Sequence, residues 1–183
     1  MNRLPLAQVT LCAIDCEVPV LAAMAPLQAQ RGIAFGPVVL FTRGWLPTVL
    51  PPKLEVVEIE PVGSRGDVAD FVACCMHAHV STSHALILRR DPGVLNPGAW
   101  SDEFLVADDL VSPGQSGDAG GLPRLSLRSR RWRRASADPR LRSSSLRGPQ
   151  AATFEAALQT QGMPRSLDAL QRLRAPAAAL APH

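Results

Sequence analysis

Residues 84–89 read HALILR. Ala85 to Leu88 are apolar without alternation, the pattern of a strand covered on both faces, as in a parallel sheet. The same signature occurs upstream in QVTLCAI (8–14) and GPVVLFT (36–42). Between the second of these and HALILR, LEVVEIE (54–60) alternates and predicts a more exposed strand. Residues 17–30, EVPVLAAMAPLQAQ, predict a helix with Pro19 in its first turn, Pro26 as a kink or early end, and Gly32 as the stop. From Asp67 the period lengthens, and Val68, Phe71, Val72, Cys75 and His79 fall on one helical face. Strand, helix, strand, strand, helix, strand predicts an α/β fold: a three-layer, Rossmann-like, mostly parallel sheet with covering helices over residues 8–112.

Downstream the order thins. DPGVLNPGAW (91–100) reads as a loop, and Ser101 caps a short helix at SDEFL. Residues 110–112 and RLSLRS (124–129) read as strands, with PGQSGDAGGLP (113–123) as a loop between them. Residues 130–149 show no apolar period, so an irregular Arg-rich C-terminal part is expected. Short helices are expected at 149–161 and 166–174, then a disordered tail.

Composition narrows the function classes. The chain has 183 residues, 46% hydrophobic and 19% charged, enough for a packed core. No apolar run reaches the ~18 residues of a membrane span. The N-terminus reads as a strand and not as an export signal, so a cytoplasmic location is expected. Cys12, Cys16, Cys74 and Cys75 form no CxxC pair and read as reduced thiols. Charge is polarised: residues 1–120 carry seven Lys/Arg against thirteen Asp/Glu, a net of −6, and residues 121–183 carry twelve against three, a net of +9. Eighteen of the nineteen cations are arginine, so codon bias competes with selection as their origin.

The stretch HVSTSHALILRRDPGVLNPGAWSDEFL (79–105) resembles a bacterial family of unknown function grouped with the GT-A glycosyltransferases. The matching elements are Thr82-Ser83-His84 leading into a buried strand, Val94-Leu95-Asn96-Pro97, and Trp100 followed by Asp102-Glu103-Phe104-Leu105. VTLCAIDC and FGPVVLFT fit the family's first two strands, and SLRSRR (126–131) resembles its later S-L-R-S-R motif. The resemblance spans residues 8–131. It implies a GT-A-like nucleotide-sugar-binding domain there, followed by a poorly ordered Arg/Ala-rich extension at 132–183 with one or two short helices. It also implies transfer of a sugar from a nucleotide-diphosphate donor to an acceptor. A divalent metal, Mn or Mg, neutralises the diphosphate leaving group in such chemistry. The family's W-D-G is Arg90-Asp91-Pro92 here, which makes Asp91 the implied catalytic metal and diphosphate ligand. Asp15, ending the first strand, is the candidate for the nucleoside. Asn96 is a candidate for the pocket floor, and Arg128 and Arg130 for direct diphosphate contact.

The departures fall on functional motifs. Trp and Gly of W-D-G are replaced by Arg90 and Pro92, the later G-N-G-G-F reads Gly121-Leu122-Pro123-Arg124-Leu125, and an aromatic-rich Y-D-Y-I-G-A-P-W segment reads Ala107-Asp108-Asp109-Leu110-Val111-Ser112-Pro113-Gly114. This pattern suits a degenerate or inactive copy. Blander readings stand beside each candidate: an Asx-Pro turn for Asn96, core packing for Trp100, and helix-start acids for Asp102 and Glu103. Cys75, His77, His79 and His84 match no zinc spacing. Nine arginines and one acid, Asp138, fall between Arg124 and Arg147. They support an alternative class, a non-catalytic nucleotide- or polyanion-binding protein with weak, salt-sensitive binding. Only Trp132 offers a stacking surface there.

Overall fold

A computed structural model describes residues 3–45, 53–88, 95–111 and 125–138. The chain runs β1 (Leu4–Leu6), β2 (Val9–Ile14), α1 (Pro19–Ala29), β3 (Ile33–Phe35), β4 (Val38–Thr42), β5 (Leu54–Glu58), α2 (Arg65–Cys74), β6 (His84–Leu88), β7 (Asp109–Val111), β8 (Leu125–Ser129) and α3 (Arg130–Ala137). Six strands form the main sheet in the order β5-β4-β2-β6-β8-β7, and β1 pairs with β3 in a separate parallel ladder. Strands β5, β4, β2 and β6 are mutually parallel; β8 is antiparallel to both β6 and β7. The mostly parallel α/β sheet is therefore present.

The three long apolar runs are strands because both of their faces are covered. In β2, Val9, Leu11 and Ala13 join one core with Ala22, Ala23, Ala25 and Ala29 of α1. Cys12 and Ile14 face the other way, into a core with Phe71 and Val72 of α2 and Trp132 of α3. Strands β4 and β6 divide in the same manner: Leu40, Leu86 and Leu88 on the α1 side, Phe41, Ala85 and Ile87 on the other. Two apolar layers with helices outside each are the three layers expected. Strand β5, at the sheet edge, buries only Leu54 fully, which accounts for its alternating sequence.

Several expectations shift. Pro26 stands inside α1 instead of ending it. The second helix begins at Arg65, where Ser64 and Asp67 form a reciprocal capping box. It ends at Cys74, and the chain tightens into a 3₁₀ turn at Met76–Ala78. That change of pitch breaks the expected Cys75–His79 face: Met76 is buried, and Cys75 is exposed. Residues 130–137, read as irregular, form a helix. Ser129 accepts the Trp132 amide as its cap, and Trp132, Arg133 and Ser136 face inward. The three-residue strands β1 and β3 were too short for a periodic signal. Gly36 follows them in a position where a Cβ would run into the Ala7 carbonyl. The helices expected at 149–161 and 166–174 lie outside the described residues.

Candidate functional site

Among the four parallel strands, β2 comes first in the chain, β4 and β5 are added on one side of it, and β6 on the other. The α1 connection packs on one face of the sheet and the α2 connection on the opposite face. The α2 crossover returns the chain to the far side of β2, so the order of strand addition reverses between β2 and β6, whose carboxyl ends lie side by side. Such a reversal of strand order marks the place where open α/β sheets bind ligands.

Asp15 follows β2 at this edge. Its amide donates to the Phe41 carbonyl at 3.1 Å, which extends the ladder by one residue. Its Oδ1 accepts the amides of Glu17 and Val18, each at 2.8 Å, and only 6% of the residue is exposed. The carboxylate thus fixes the turn into α1, satisfying amides that the helix start leaves without intrahelical partners. Asp91 comes three residues after Leu88, the last residue of β6, and lies outside the described residues.

The other candidates lie elsewhere. Asn96 accepts the Gly98 amide at 3.0 Å and caps a short 3₁₀ turn, the Asx-Pro reading. The adjoining Pro97 packs on Gly32, just past the carboxyl end of α1, a helix of eleven residues. That length, about 16 Å, separates Asn96 from the turn that Asp15 holds. Arg128 pairs with Ala85 and Ser129 with His84 across the antiparallel β6–β8 ladder. This places Arg128 and Arg130 at the amino end of β6, the edge opposite Asp15. Arg128 is buried, forms a salt bridge with Asp109 and stacks 4.1 Å above the Trp132 ring. Its charge is matched within the fold. Arg130 is exposed at the start of α3, with Nε donating to the Thr82 carbonyl at 3.4 Å.

The remaining polar groups here are structural. His84 is buried; Ser83 Oγ lies 3.1 Å from its Nδ1, and the Ala107 carbonyl 3.4 Å from its Nε2. Burial pulls its pKa below the usual imidazole value, the Ala107 carbonyl opposes this, and Arg133 adds to the lowering. Trp100 packs edge-on against Phe104, with ring centroids 5.3 Å apart, and Ser101 caps the turn carrying Asp102 and Glu103. Among the described residues no group of three or more His, Cys, Asp or Glu is placed to hold a metal.

Sequence reasoning did not assemble one further group. His77, His79, Arg130, Arg133 and Arg134 converge at the amino edge of β6. The density of arginine after residue 124 was its one visible signal.

No family model matches the chain, and no curated protein does. Solved structures do. Two crystal structures of glycosyltransferase GlyE from Streptococcus pneumoniae TIGR4, one of them the apo-form, superpose with TM-scores of 0.51 and 0.50 at 9% identity. The fold is glycosyltransferase-like. Each comparison covers 91% of this chain and 46% of GlyE, so the chain spans about half the length of the structure it resembles. No helix among the described residues is long and apolar enough to cross a membrane.

Proposed function

We propose that this glycosyltransferase-like chain binds a nucleotide-sugar in the crevice at the carboxyl ends of β2 and β6 and transfers the sugar to an acceptor. One observation carries the reading: two adjacent parallel strands end side by side at the reversal of strand order, and each is followed in the sequence within three residues by an aspartate, Asp15 and Asp91. The likeness to GlyE supports the glycosyltransferase-like fold. In this reading Asp91 holds the diphosphate end of the donor. Asp15 holds the turn that shapes the nucleoside end of the donor, its ribose or base. Arg128 and Arg130 are left out because they lie at the opposite edge. A cytoplasmic setting accords with the lack of any CxxC pair among Cys12, Cys16, Cys74 and Cys75.

A magnesium-like ion takes one or two carboxylates from the protein and the rest of its oxygen shell from phosphates and water. Among the described residues no group of three or more His, Cys, Asp or Glu is placed to hold a metal, and Asp15 Oδ1 is engaged by two backbone amides. The work left to the chain is binding and orientation.

Calorimetric titration of the full chain with UDP- and GDP-sugars, with Mn²⁺ and with EDTA, tests the reading. Saturable binding of a nucleotide-sugar is expected, weakened about tenfold or more by Asp91→Ala, the loss of one charged anchor. If no nucleotide-sugar binds in either arm, the proposal fails. Equal binding by Asp91→Ala would remove that residue from the site.

A further inference from the structure

At the amino edge of β6, the loop before the strand and the first two turns of α3 enclose a cleft of about 290 Å³. His77, His79 and Ser81 line one side, and Arg130, Arg133 and Arg134 the other. No carboxylate lines it, and among the described residues none of these three arginines has an acidic partner. The nearby acids are committed elsewhere: Asp109 to Arg128, and Asp108 to Ser129 and Arg131.

Arg133 sets the character of the cleft. It is only 1% exposed. Its fork donates to three carbonyls: Nη1 to Arg128 at 2.8 Å, and Nη2 to Thr82 at 2.8 Å and to Val80 at 3.3 Å. Its Nε is buried and has no hydrogen-bond partner among the described residues. Carbonyl dipoles ease the burial of a cation but do not cancel its charge. The Cys12 thiol, near enough to interact, is pushed up to about 12 by burial and stays neutral, with Arg133 pulling the other way. Burial and then the neighbouring Arg130 and Arg134 bring the Arg133 guanidinium itself down to about 10, although the Cys12 interaction opposes them. A fixed cation and two more guanidiniums lining the same cleft form an arrangement that an anion completes.

We propose that this cleft is a binding site for a phosphoryl oxyanion, either inorganic phosphate or the phosphate of a small monoester. Arg130 and Arg134 grip it beside the fixed Arg133. Three further features define the ligand class. Guanidinium forks match the oxygens of a phosphoryl group and bind it in pairs. The volume stands at the lower end of small-molecule pockets, which begin near ~300 Å³, so it suits a compact ligand and not a polymer. No Trp or Phe lines the cleft, and the imidazoles of His77 and His79 are the smallest of aromatic platforms for a nucleobase. The site lies at the edge of the sheet opposite Asp15, so it is separate from the proposed donor crevice.

The test is calorimetric titration of the full chain with inorganic phosphate and, separately, with glycerol phosphate, at ionic strength held constant with chloride. Saturable one-to-one binding in at least one arm is expected, and the stronger arm identifies the source of the phosphoryl group. Replacing both exposed arginines, Arg130→Ala with Arg134→Ala, should weaken binding about tenfold or more. The double replacement Arg3→Ala with Arg31→Ala removes the same two charges from other exposed positions and should leave binding unchanged. Thermal melts without ligand confirm that both variants fold. Absence of saturable binding in both arms overturns the proposal, as does equal weakening by the two double variants. Tight binding of a single-stranded oligonucleotide that neither phosphate nor glycerol phosphate displaces also overturns it, in favour of a polyanion surface.

Discussion

The guanidinium of Arg133 bonds the carbonyl end of β8 to the two carbonyls that lead into β6. Replacing it with methionine removes a desolvated charge, which favours the variant, but takes a donor from the Arg128 and Val80 carbonyls and leaves the Thr82 carbonyl only the longer bond from Arg130 Nε. Orphaned buried acceptors cost roughly 1–3 kcal/mol each, and the loss of an uncompensated cation returns part of that. Arg133→Met should therefore lower the unfolding free energy by about 3 kcal/mol, measured by urea denaturation. A loss below about 1 kcal/mol would mean that water replaces the fork without difficulty. Residue-level roles were unevenly visible in the sequence. Asp15 could be placed at a strand end because the apolar run before it is unbroken. That its Oδ1 is bound by the amides of Glu17 and Val18 could not be read, because that depends on how the chain turns after the strand. Arg128 looked available as one of a run of arginines; only the pairing of β7 with β8 brings Asp109 to it.

At the scale of elements, helix ends illustrate what local chemistry decides. Ser64 accepts the Asp67 amide at 3.1 Å, and the Asp67 carboxylate accepts the Ser64 amide at 2.8 Å. These bonds hold the Asp67 carboxyl below its ordinary pKa. Ser64→Ala should cost about 1 kcal/mol, read from the shift in the denaturation midpoint. An unchanged midpoint would show that Asp67 alone suffices as a cap. The S-x-x-D pattern was present in the sequence, yet the helix start was placed two residues late, at Asp67, because apolar periodicity begins only at Val68. Helix α3 escaped notice for a related reason. Its inward residues are Trp132, Arg133 and Ser136, so a search for apolar spacing sees one hydrophobic residue and a polar stretch. A buried arginine on a helix face is invisible to any pattern that equates charge with solvent.

For the molecule as a whole, the order of strands ranks their stability. Strands β4, β2 and β6 each have neighbours on both sides, whereas β5 and β7 are edges. Hydrogen exchange should be slowest at amides of Leu11–Ile14 and Leu86–Leu88, and on the order of a hundredfold faster in β5. Protection in β5 equal to that in β2 would contradict this ranking. The parallel part of the sheet was legible because a doubly covered strand leaves a continuous apolar run. The direction of β8 was not, since an apolar run carries no sign, and the 36 residues between β6 and β8 permit either orientation. That one reversal moved Arg128 and Arg130 from the expected crevice to the opposite edge.

The same reversal has a consequence for synthesis. Strand β8 lies between β6 and β7, although β7 precedes it in the chain. As the chain leaves the ribosome, β7 emerges before the strand it must pair with. Until residue 129 is made, the nascent sheet ends at β6, whose residues from His84 to Leu88 are all buried in the finished protein. An open apolar edge of this kind is a template for pairing with another chain. The window of vulnerability to misassembly thus closes only with the arrival of β8, whose continuation into α3 through Ser129 covers the adjoining face with Trp132.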